Sequence, residues 1–277
     1  MSAEYKQHAP ALANALLMNV VLIDSHCHLD ADAFDGDRAE IIARAQATGV
    51  IAQVIPAVTA AKWPKLRTIC TQTSGLYPAY GLHPMFLSEH HPTHLHVLRE
   101  WLERERPCAI GECGLDFYVE GLNREIQHTY FISQLMLARE YALPVIVHAR
   151  HAVEQVIAMI KTVGTLRGVV HSFSGSLEQA RQLWKLGFMI SFGGALTYPR
   201  AHRLHRLAME TPLDCLLLET DAPYQPDSEI RGKRNEPGRL LTILEYIATL
   251  RKQDRTEISK VTRANTEQLF GLKVTPT

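Results

Sequence analysis

Short β-branched and apolar runs recur along the chain, and each is followed by a polar or glycine stop and then by a helical stretch. Runs of this length predict β-strands, and apolar residues spaced three to four apart predict helices. Phe131, Leu135 and Ala138 form one helical stripe, and 237–252 and 256–270 predict two helices near the end of the chain. The eight strand-like runs are 20–23, 50–55, 76–82, 108–111, 145–147, 168–170, 188–192 and 215–218.

The spacing of these runs predicts the fold class. Their carboxyl ends lie 23 to 36 residues apart, which leaves room for one crossover helix between consecutive parallel strands. Eight strand–helix units in 277 residues favour an α/β fold, a closed (β/α)8 barrel of the TIM type. The alternative, an open doubly wound sheet, usually carries a glycine-rich phosphate turn after its first strand. This chain has Asp24-Ser25-His26-Cys27-His28 at that position, so we favour the barrel.

One catalytic domain is expected over residues 18–277, because no low-complexity segment, linker or charge block divides them. Residues 1–17 precede everything that the barrel needs, so we expect a dispensable extension or an over-long gene start. The apolar run from Ala11 to Ile23 is broken by Asn14 and Asn19 and is too short to span a bilayer. No small-residue cleavage site follows it, which argues against a signal peptide.

Composition narrows the class of protein. An apolar fraction of 46% excludes a disordered chain, and 29 basic against 29 acidic side chains argue against coating of duplex DNA by charge alone. The five cysteines form no Cys-x-x-Cys pair, so neither a zinc ribbon nor a disulfide framework is indicated. We therefore expect a cytoplasmic protein with no membrane association and no obligate protein partner. The unusual feature is histidine, of which there are 14 residues.

Two of these histidines follow the first strand. Because side chains alternate along a strand, Asp24, His26 and His28 share one side, while Cys27 faces the other and is expected to pack. A lone histidine is usually a satisfied core residue. A His-x-His pair at the end of a strand places two imidazoles on one point, which suits a divalent ion. We therefore interpret the pair as part of a metal site.

Other strands also end in metal-binding residue types, namely Glu112, His148, His171 and Asp221. A carboxylate at a strand end is often only a helix cap, but six such side chains on the face where barrels build active sites are not all caps. Six ligands exceed one tetrahedral ion and suit two ions that share a carboxylate. Such a pair activates water for hydrolysis at a phosphorus or acyl centre. No Gly-x-Ser-x-Gly motif competes with this interpretation.

Together these motifs resemble the TatD family of metal-dependent hydrolases, part of the amidohydrolase superfamily. The resemblance extends from about residue 20 to residue 271. The matching motifs are Asp24-Ser25-His26-Cys27-His28, Gly81-Leu82-His83-Pro84, Gly111-Glu112-Cys113-Gly114-Leu115-Asp116, His148-Ala149-Arg150, His171-Ser172-Phe173-Ser174-Gly175, Glu219-Thr220-Asp221-Ala222-Pro223-Tyr224 and Asn265-Thr266 with Leu269-Phe270.

The resemblance implies a (β/α)8 barrel that hydrolyses nucleic acid, typically as an exonuclease, with two divalent ions. It assigns ligand roles as follows: His26, His28 and Asp221 to the first ion, His148 and His171 to the second, and Glu112 to both. Asp221 would also accept a proton from the attacking water.

The resemblance also suggests roles around the ligands. His83 would face the substrate; without the family, a surface imidazole is nearly as good an interpretation. Glu219 lies one layer deeper than Asp221 and would orient the ligands. Asp24 would act in the same way below His26 or would only fill the barrel.

Cations near the predicted site bear on the substrate. Arg150 stands beside His148, and the loop after the eighth strand carries Arg231, Lys233 and Arg234, so these four are predicted to hold a phosphate. A solvated charge run is the competing interpretation of the loop.

The hypothesis is a phosphodiesterase that acts on a DNA or RNA end, with a single strand rather than a duplex as the expected substrate. The alternatives are an amidohydrolase or ester hydrolase with the same metals, including deacylation of aminoacyl-tRNA, and a non-enzymatic metal-binding scaffold. The metal is left open among Mg²⁺, Mn²⁺ and Zn²⁺.

Overall fold

A computed structural model describes residues 20–274, and in it eight parallel strands form one sheet in chain order. The strands are β1 Leu22–Asp24, β2 Val50–Pro56, β3 Leu76–Tyr80, β4 Ala109–Asp116, β5 Val145–Arg150, β6 Gly168–Val170, β7 Phe188–Phe192 and β8 Leu216–Leu218. The helices within the described range are α1 Arg38–Ala47, α2 Trp63–Gln72, α3 Thr93–Glu105, α4 Arg124–Glu140, α5 Val153–Val163, α6 Leu177–Lys185, α7 His202–Glu210, α8 Leu240–Arg251 and α9 Arg255–Phe270.

The first and last strands meet just beyond their carboxyl ends. The backbone N–H of Ser25 donates to the carbonyl oxygen of Leu218 over 3.0 Å, and the N–H of Asp221 donates to that of His26 over 2.9 Å. These bonds bring both ends of the sheet together into a nearly closed barrel, with helices alternating between the strands. The predicted (β/α)8 architecture is confirmed. The expectation for residues 1–17 lies outside the described residues.

Two apolar clusters hold the barrel. The larger one packs the outer faces of the strands against the helices, as with Ile55 of β2 and Leu66 of α2. The smaller one takes alternate strand residues, including Ala52 and Val54 of β2, and is joined by Phe270 from the end of α9. Because neighbouring strand residues point to opposite faces, the smaller cluster is the barrel interior. An apolar interior leaves the polar chemistry to the ends of the strands.

Strands β4 and β5 extend further than the sequence predicts. Glu112 lies inside β4 rather than beyond its end, and His148 lies inside β5. The ladder continues because Gly114 pairs with His148 and Asp116 pairs with Arg150 at the top of the two strands. The polar side chains do not end the strands, since they point into the mouth of the barrel.

The two predicted C-terminal helices lie close to their expected positions. Helix α8 starts at Leu240 rather than 237, because a short 3-10 turn, Pro237–Arg239, precedes it. Asp254 begins α9 by accepting the backbone N–H groups of Thr256 and Glu257. Across residues 20–274, no helix combines the length and apolarity needed to cross a bilayer.

Candidate metal centre

Side chains from six of the eight strand ends converge at the mouth of the barrel. A cavity of about 870 Å³ opens onto them. The cluster consists of seven side chains, which are largely shielded from solvent, and His26 is completely buried. They are His26 and His28 after β1, His83 after β3, Glu112 of β4, His148 of β5, His171 after β6 and Asp221 after β8.

The His26 and His28 rings face each other through ring nitrogens. Their Nε2 atoms are 3.2 Å apart. The Nδ1 atom of His28 lies 3.1 Å from the carbonyl oxygen of Pro56, and a carbonyl oxygen can only accept. Nδ1 of His28 therefore carries a proton, and in the neutral ring the Nε2 lone pair points into the cluster.

Glu112 lies at the centre of the cluster, and its two oxygens face different groups of imidazoles. Oε2 is 3.2 Å from Nε2 of His26 and 3.4 Å from Nε2 of His28. Oε1 is 2.7 Å from Nε2 of His171 and 3.1 Å from Nδ1 of His148. The Glu112 carboxylate thus contacts both pairs of imidazoles, one pair through each oxygen.

Asp221 lies beside the same two imidazoles as Oε2 of Glu112, those of His26 and His28. Its Oδ1 atom lies 3.5 Å from Nε2 of His26 and 3.4 Å from Nε2 of His28. Its Oδ2 atom accepts a hydrogen bond from Nε2 of Gln225 over 2.6 Å. Asp221 has a φ of 57°, and Gln225 has a φ of 46°. Non-glycine residues in this left-handed region are uncommon and cluster at functional sites.

His83 contacts the cluster through a defined tautomer. Its Nδ1 atom accepts the backbone N–H of Met85 over 3.1 Å, and its Nε2 atom lies 2.9 Å from Oε1 of Glu112. Burial lowers the pKa of His83 to about 4, so the ring is neutral near pH 7 and Nε2 bears its one proton. His83 is thus a hydrogen-bond donor to Glu112, and its lone pair is already engaged by the backbone.

Burial and opposite charges pull the pKa values of the cluster in different directions. Burial disfavours protonation of His28, but its contacts with Asp221 and Glu112 raise its pKa well above the ordinary value. The pKa of His171 is also raised well above its ordinary value despite burial, mainly by the negative charge of Glu112. Burial would raise the pKa of Glu112, yet the imidazoles around it hold it well below its usual range. Glu112 is therefore ionised, and the imidazoles around it stabilise its negative charge.

The donor set fits metal ions. In the part of the chain that the structure describes, three groups have ligand atoms that all lie within 4.8 Å of one another, and Glu112 belongs to two of them. Lone pairs of neighbouring imidazoles and carboxylates repel one another at such distances unless protons or a cation lie between them. The groups are His26, Glu112 and His171; His26, His28 and Asp221; and His83, Glu112 and His148. The tautomer of His83 argues against a ligand role in the third group.

The two predicted supporting carboxylates, Glu219 and Asp24, lie behind the candidate ligands. Glu219 is fully buried, accepts the backbone N–H of Ser172 over 2.7 Å and the hydroxyl of Ser191 over 2.5 Å, and lies 3.7 Å from Nδ1 of His171. Asp24 accepts the backbone N–H of Thr220 and that of His26. These hydrogen bonds of Asp24 hold the backbone next to the candidate ligands His26 and Asp221.

The predicted cations divide into two groups. Arg150 lines the cavity, and its Cζ atom lies 3.8 Å from the ring centroid of the exposed Tyr118. Arg231, Lys233 and Arg234 are exposed and do not line the cavity. Arg234 instead pairs with Asp37, so its predicted phosphate contact conflicts with an ion pair that already holds it. Substrate contact by Arg231 and Lys233 stays a prediction.

Three residues near the site were missed by sequence reasoning. Asp116 contacts the His148 ring, Gln225 contacts Asp221, and Lys62 lines the cavity and pairs with Asp32. Asp116 could have been found, because it follows Glu112 by four positions in the same motif. Gln225 and Lys62 gave no signal, since only the path of their loops brings them to the cavity.

A (β/α)8 barrel with a buried cluster of histidines and carboxylates at its mouth defines a metal-dependent hydrolase. The family described as TatD related DNase matches residues 23–271. The chain belongs to this TatD family. It is 38% identical to the uncharacterized metal-dependent hydrolase YjjV of Escherichia coli over 254 residues, covering 90% of this chain and 98% of that protein. It is 35% identical to the uncharacterized metal-dependent hydrolase YabD of Bacillus subtilis, covering 91% and 100%.

Solved structures agree with the fold. The crystal structure of YjjV, a TatD homolog from Escherichia coli, superposes with a TM-score of 0.88 at 37% identity and covers 91% of this chain and 98% of that one. A TatD family hydrolase from Entamoeba histolytica superposes with a TM-score of 0.81 at 21% identity, covering 91% and 98%, which shows the shared fold. The predicted family membership is confirmed.

Proposed function

We propose that this metal-dependent hydrolase is a phosphodiesterase that shortens DNA or RNA from a strand end, using two divalent ions. The observation that carries the proposal is the Arg150 guanidinium. It lines the cavity two positions after the ligand candidate His148, is stacked on Tyr118, and has no ion-pair partner among residues 20–274. A guanidinium that is held flat with free N–H groups suits a phosphate oxygen. The family description, TatD related DNase, supports the same substrate class.

The contacts around Glu112 and Asp221 support the following ligand roles. His26, His28 and Asp221 would hold one ion, His148 and His171 would hold the other, and Glu112 would contribute one oxygen to each. Bound divalent ions lower the pKa of a coordinated water and polarise a phosphoryl oxygen. Mg²⁺, Mn²⁺ and Zn²⁺ all accept such ligands, and carboxylates favour the first two while imidazoles favour the third.

The protein groups have separate tasks in the proposed reaction. Asp221, kept ionised by the imidazoles around it despite its burial, accepts the proton from the attacking water. The N–H of Gln225 fixes one oxygen of this carboxylate, so the other is turned toward His26 and His28. The Nε2–H group of His83 donates a hydrogen bond to Glu112, and His83 lines the cavity in which the substrate would bind. Arg150 offsets the charge that develops on the phosphate.

The shape of the cavity favours a strand end. Its volume of about 870 Å³ is that of a pocket for a small ligand, not of a long groove. Tyr224 stands at the mouth, is 56% exposed, and has its ring centroid 5.8 Å from that of His28. An exposed aromatic ring in this position is suited to stack a nucleobase, which contributes roughly 1–3 kcal/mol per base in single-strand binders.

The proposal is tested with single-stranded DNA and RNA oligonucleotides labelled at either end. We expect purified protein with added Mg²⁺ or Mn²⁺ to release mononucleotides progressively and to stop when the metal is chelated. R150A should lower kcat/KM for the oligonucleotide by about 10- to 100-fold, in line with the loss of one charge-assisted phosphate contact. R234A is the matched control, because that guanidinium is held by Asp37, and it should leave the activity unchanged.

Two outcomes would overturn the proposal. One is that DNA and RNA stay intact while an amide or carboxylic ester, such as an aminoacyl-tRNA end, is hydrolysed with metal. The other is metal binding without turnover of either substrate class, as expected of a scaffold.

A further inference from the structure

Both ring nitrogens of His148 face carboxylates. Nδ1 lies 3.1 Å from Oε1 of Glu112, and Nε2 lies 2.9 Å from Oδ2 of Asp116. An imidazole binds a cation through a nitrogen without a proton, and the other nitrogen then carries the proton. Because Nδ1 is the nitrogen on the cluster side, His148 can act as a ligand only while Nε2 keeps its proton.

Asp116 is placed to accept a hydrogen bond from the Nε2–H group of His148, and other hydrogen bonds fix its position. It is fully buried, and its Oδ1 atom accepts the backbone N–H groups of Tyr118 over 2.9 Å and Val119 over 3.0 Å. The side chain of Gln127, on helix α4, binds both the N–H and the carbonyl oxygen of Asp116, over 2.7 and 2.9 Å. These contacts leave Oδ2 directed at His148.

We propose that Asp116 is the positioning residue of His148. It accepts a hydrogen bond from the Nε2–H group of His148, which keeps the proton on Nε2 and fixes the orientation of the ring. The Nδ1 lone pair is then directed to the side of the ring where Glu112 lies. Asp116 itself does not line the cavity and is not in reach of a substrate there. The inference concerns metal loading and rests on the metal centre, not on phosphodiesters being the substrate. Its test is therefore independent of whether the enzyme cleaves nucleic acid.

The variant D116N separates the two roles of this side chain, which are to bind the backbone of the loop through Oδ1 and to contact His148 through Oδ2. The two backbone N–H groups that bind Oδ1 select the amide oxygen at that position, so the amide NH₂ is turned toward His148. Nε2 of His148 then meets a donor and has to lose its proton to be satisfied. Nδ1 is thereby driven to its protonated form, which cannot bind a cation. The loop after β4 keeps its hydrogen bonds in this variant.

D254N is the matched control. Asp254 also accepts the backbone N–H groups of the residues two and three positions later in the chain, Thr256 and Glu257, and within residues 20–274 it makes no hydrogen bond or ion pair with an imidazole. Both variants therefore exchange one capping carboxylate for an amide. Only D116N changes the partner of a proposed metal ligand.

The experiment is calorimetric titration of the full-length, chelator-treated protein with Zn²⁺ at neutral pH. We expect D116N to bind one equivalent of Zn²⁺ about 10- to 100-fold more weakly than the wild type, the usual effect of losing a group that orients a ligand, and D254N to match the wild type. Nitrogen NMR of histidine-labelled, Zn²⁺-loaded wild type should show His148 bound to Zn²⁺ through Nδ1 and protonated at Nε2. An affinity of D116N equal to that of D254N, or zinc bound through Nε2 in the wild type, would overturn the inference. The NMR result decides alone if D116N does not fold.

Discussion

The Nε2 atoms of His26 and His28 lie 3.2 Å apart, and the Pro56 carbonyl fixes the proton of His28 on the opposite nitrogen. Two imidazole nitrogens that share so small a space are satisfied by a proton or by a cation between them. The carboxylate oxygens of Glu112 and Asp221 within 3.5 Å of both nitrogens favour the cation.

Replacing His28 by alanine should remove one ligand without disturbing the barrel. We expect H28A to lose about one bound ion per chain and more than about 100-fold in activity, because it loses a direct ligand rather than an orienting partner. Elemental analysis of the purified variant measures the first effect. H96A is the control, since His96 is exposed and pairs only with Glu100 among the described residues. Wild-type metal content in H28A would contradict the assignment.

The stability of the metal-free protein should fall as the pH rises. The pKa values of His28 and His171 are raised above 6.5 in spite of their burial, because Glu112 lies beside both and Asp221 beside His28. Protonation of these two imidazoles therefore adds to the free energy of unfolding. This contribution is fully present below about pH 6.5 and is lost as the pH rises through the raised pKa values.

Thermal unfolding at a series of pH values tests this linkage. With EDTA the Tm should decline above about pH 6.5. With Zn²⁺ the decline should be absent or reversed, because the metal replaces the protons and binds more tightly as they leave. Parallel curves for the two conditions would show that these imidazoles are not the ligands.

His83 should be needed for turnover but not for metal binding. Its Nδ1 atom accepts a hydrogen bond from the N–H of Met85, and its Nε2–H group donates a hydrogen bond to Glu112. We expect H83A to retain the metal content and to lower kcat by about 100-fold, the lower part of the range for a group that transfers or holds a proton. A loss of metal as large as that expected of H28A would make His83 a ligand instead.

Glu219 should contribute to stability through two buried donors. In E219A the N–H of Ser172 and the hydroxyl of Ser191 lose their acceptor, which costs about 1–3 kcal/mol for each group left unpaired. E219Q should recover most of this free energy of unfolding, because the amide oxygen can accept from Ser172 while the Ser191 hydroxyl rotates to accept. Urea unfolding of both variants with EDTA measures the difference. Equal stability of E219A and the wild type would refute this role.

Much of the site could be predicted from sequence, because parallel strands place their carboxyl ends on one face of a barrel. That rule alone brings His26, Glu112 and Asp221 together although they are far apart in the chain. It does not give the direction of a loop. In the segment after β8 the predicted cations lie on the outer surface, where Arg234 pairs with Asp37. Residue spacing does not specify loop conformation, so this position could not be predicted from the sequence.

The orientation of individual rings was also beyond the sequence. Whether a histidine presents Nδ1 or Nε2 depends on a partner at the back of the ring, which is Pro56 for His28 and Met85 for His83. Gly114 and His148 extend the ladder between β4 and β5, and this extension brings Asp116 to the His148 ring. These contacts depend on register and rotamer, which alternation along a strand does not specify.

The most direct test of the metal centre is anomalous diffraction from crystals grown with Mn²⁺ or Zn²⁺. We predict two peaks on either side of the Glu112 carboxylate, one within bonding distance of His26, His28 and Asp221, and the other within bonding distance of His148 and His171. Crystals that are saturated with metal and show no peak between these side chains would contradict the account.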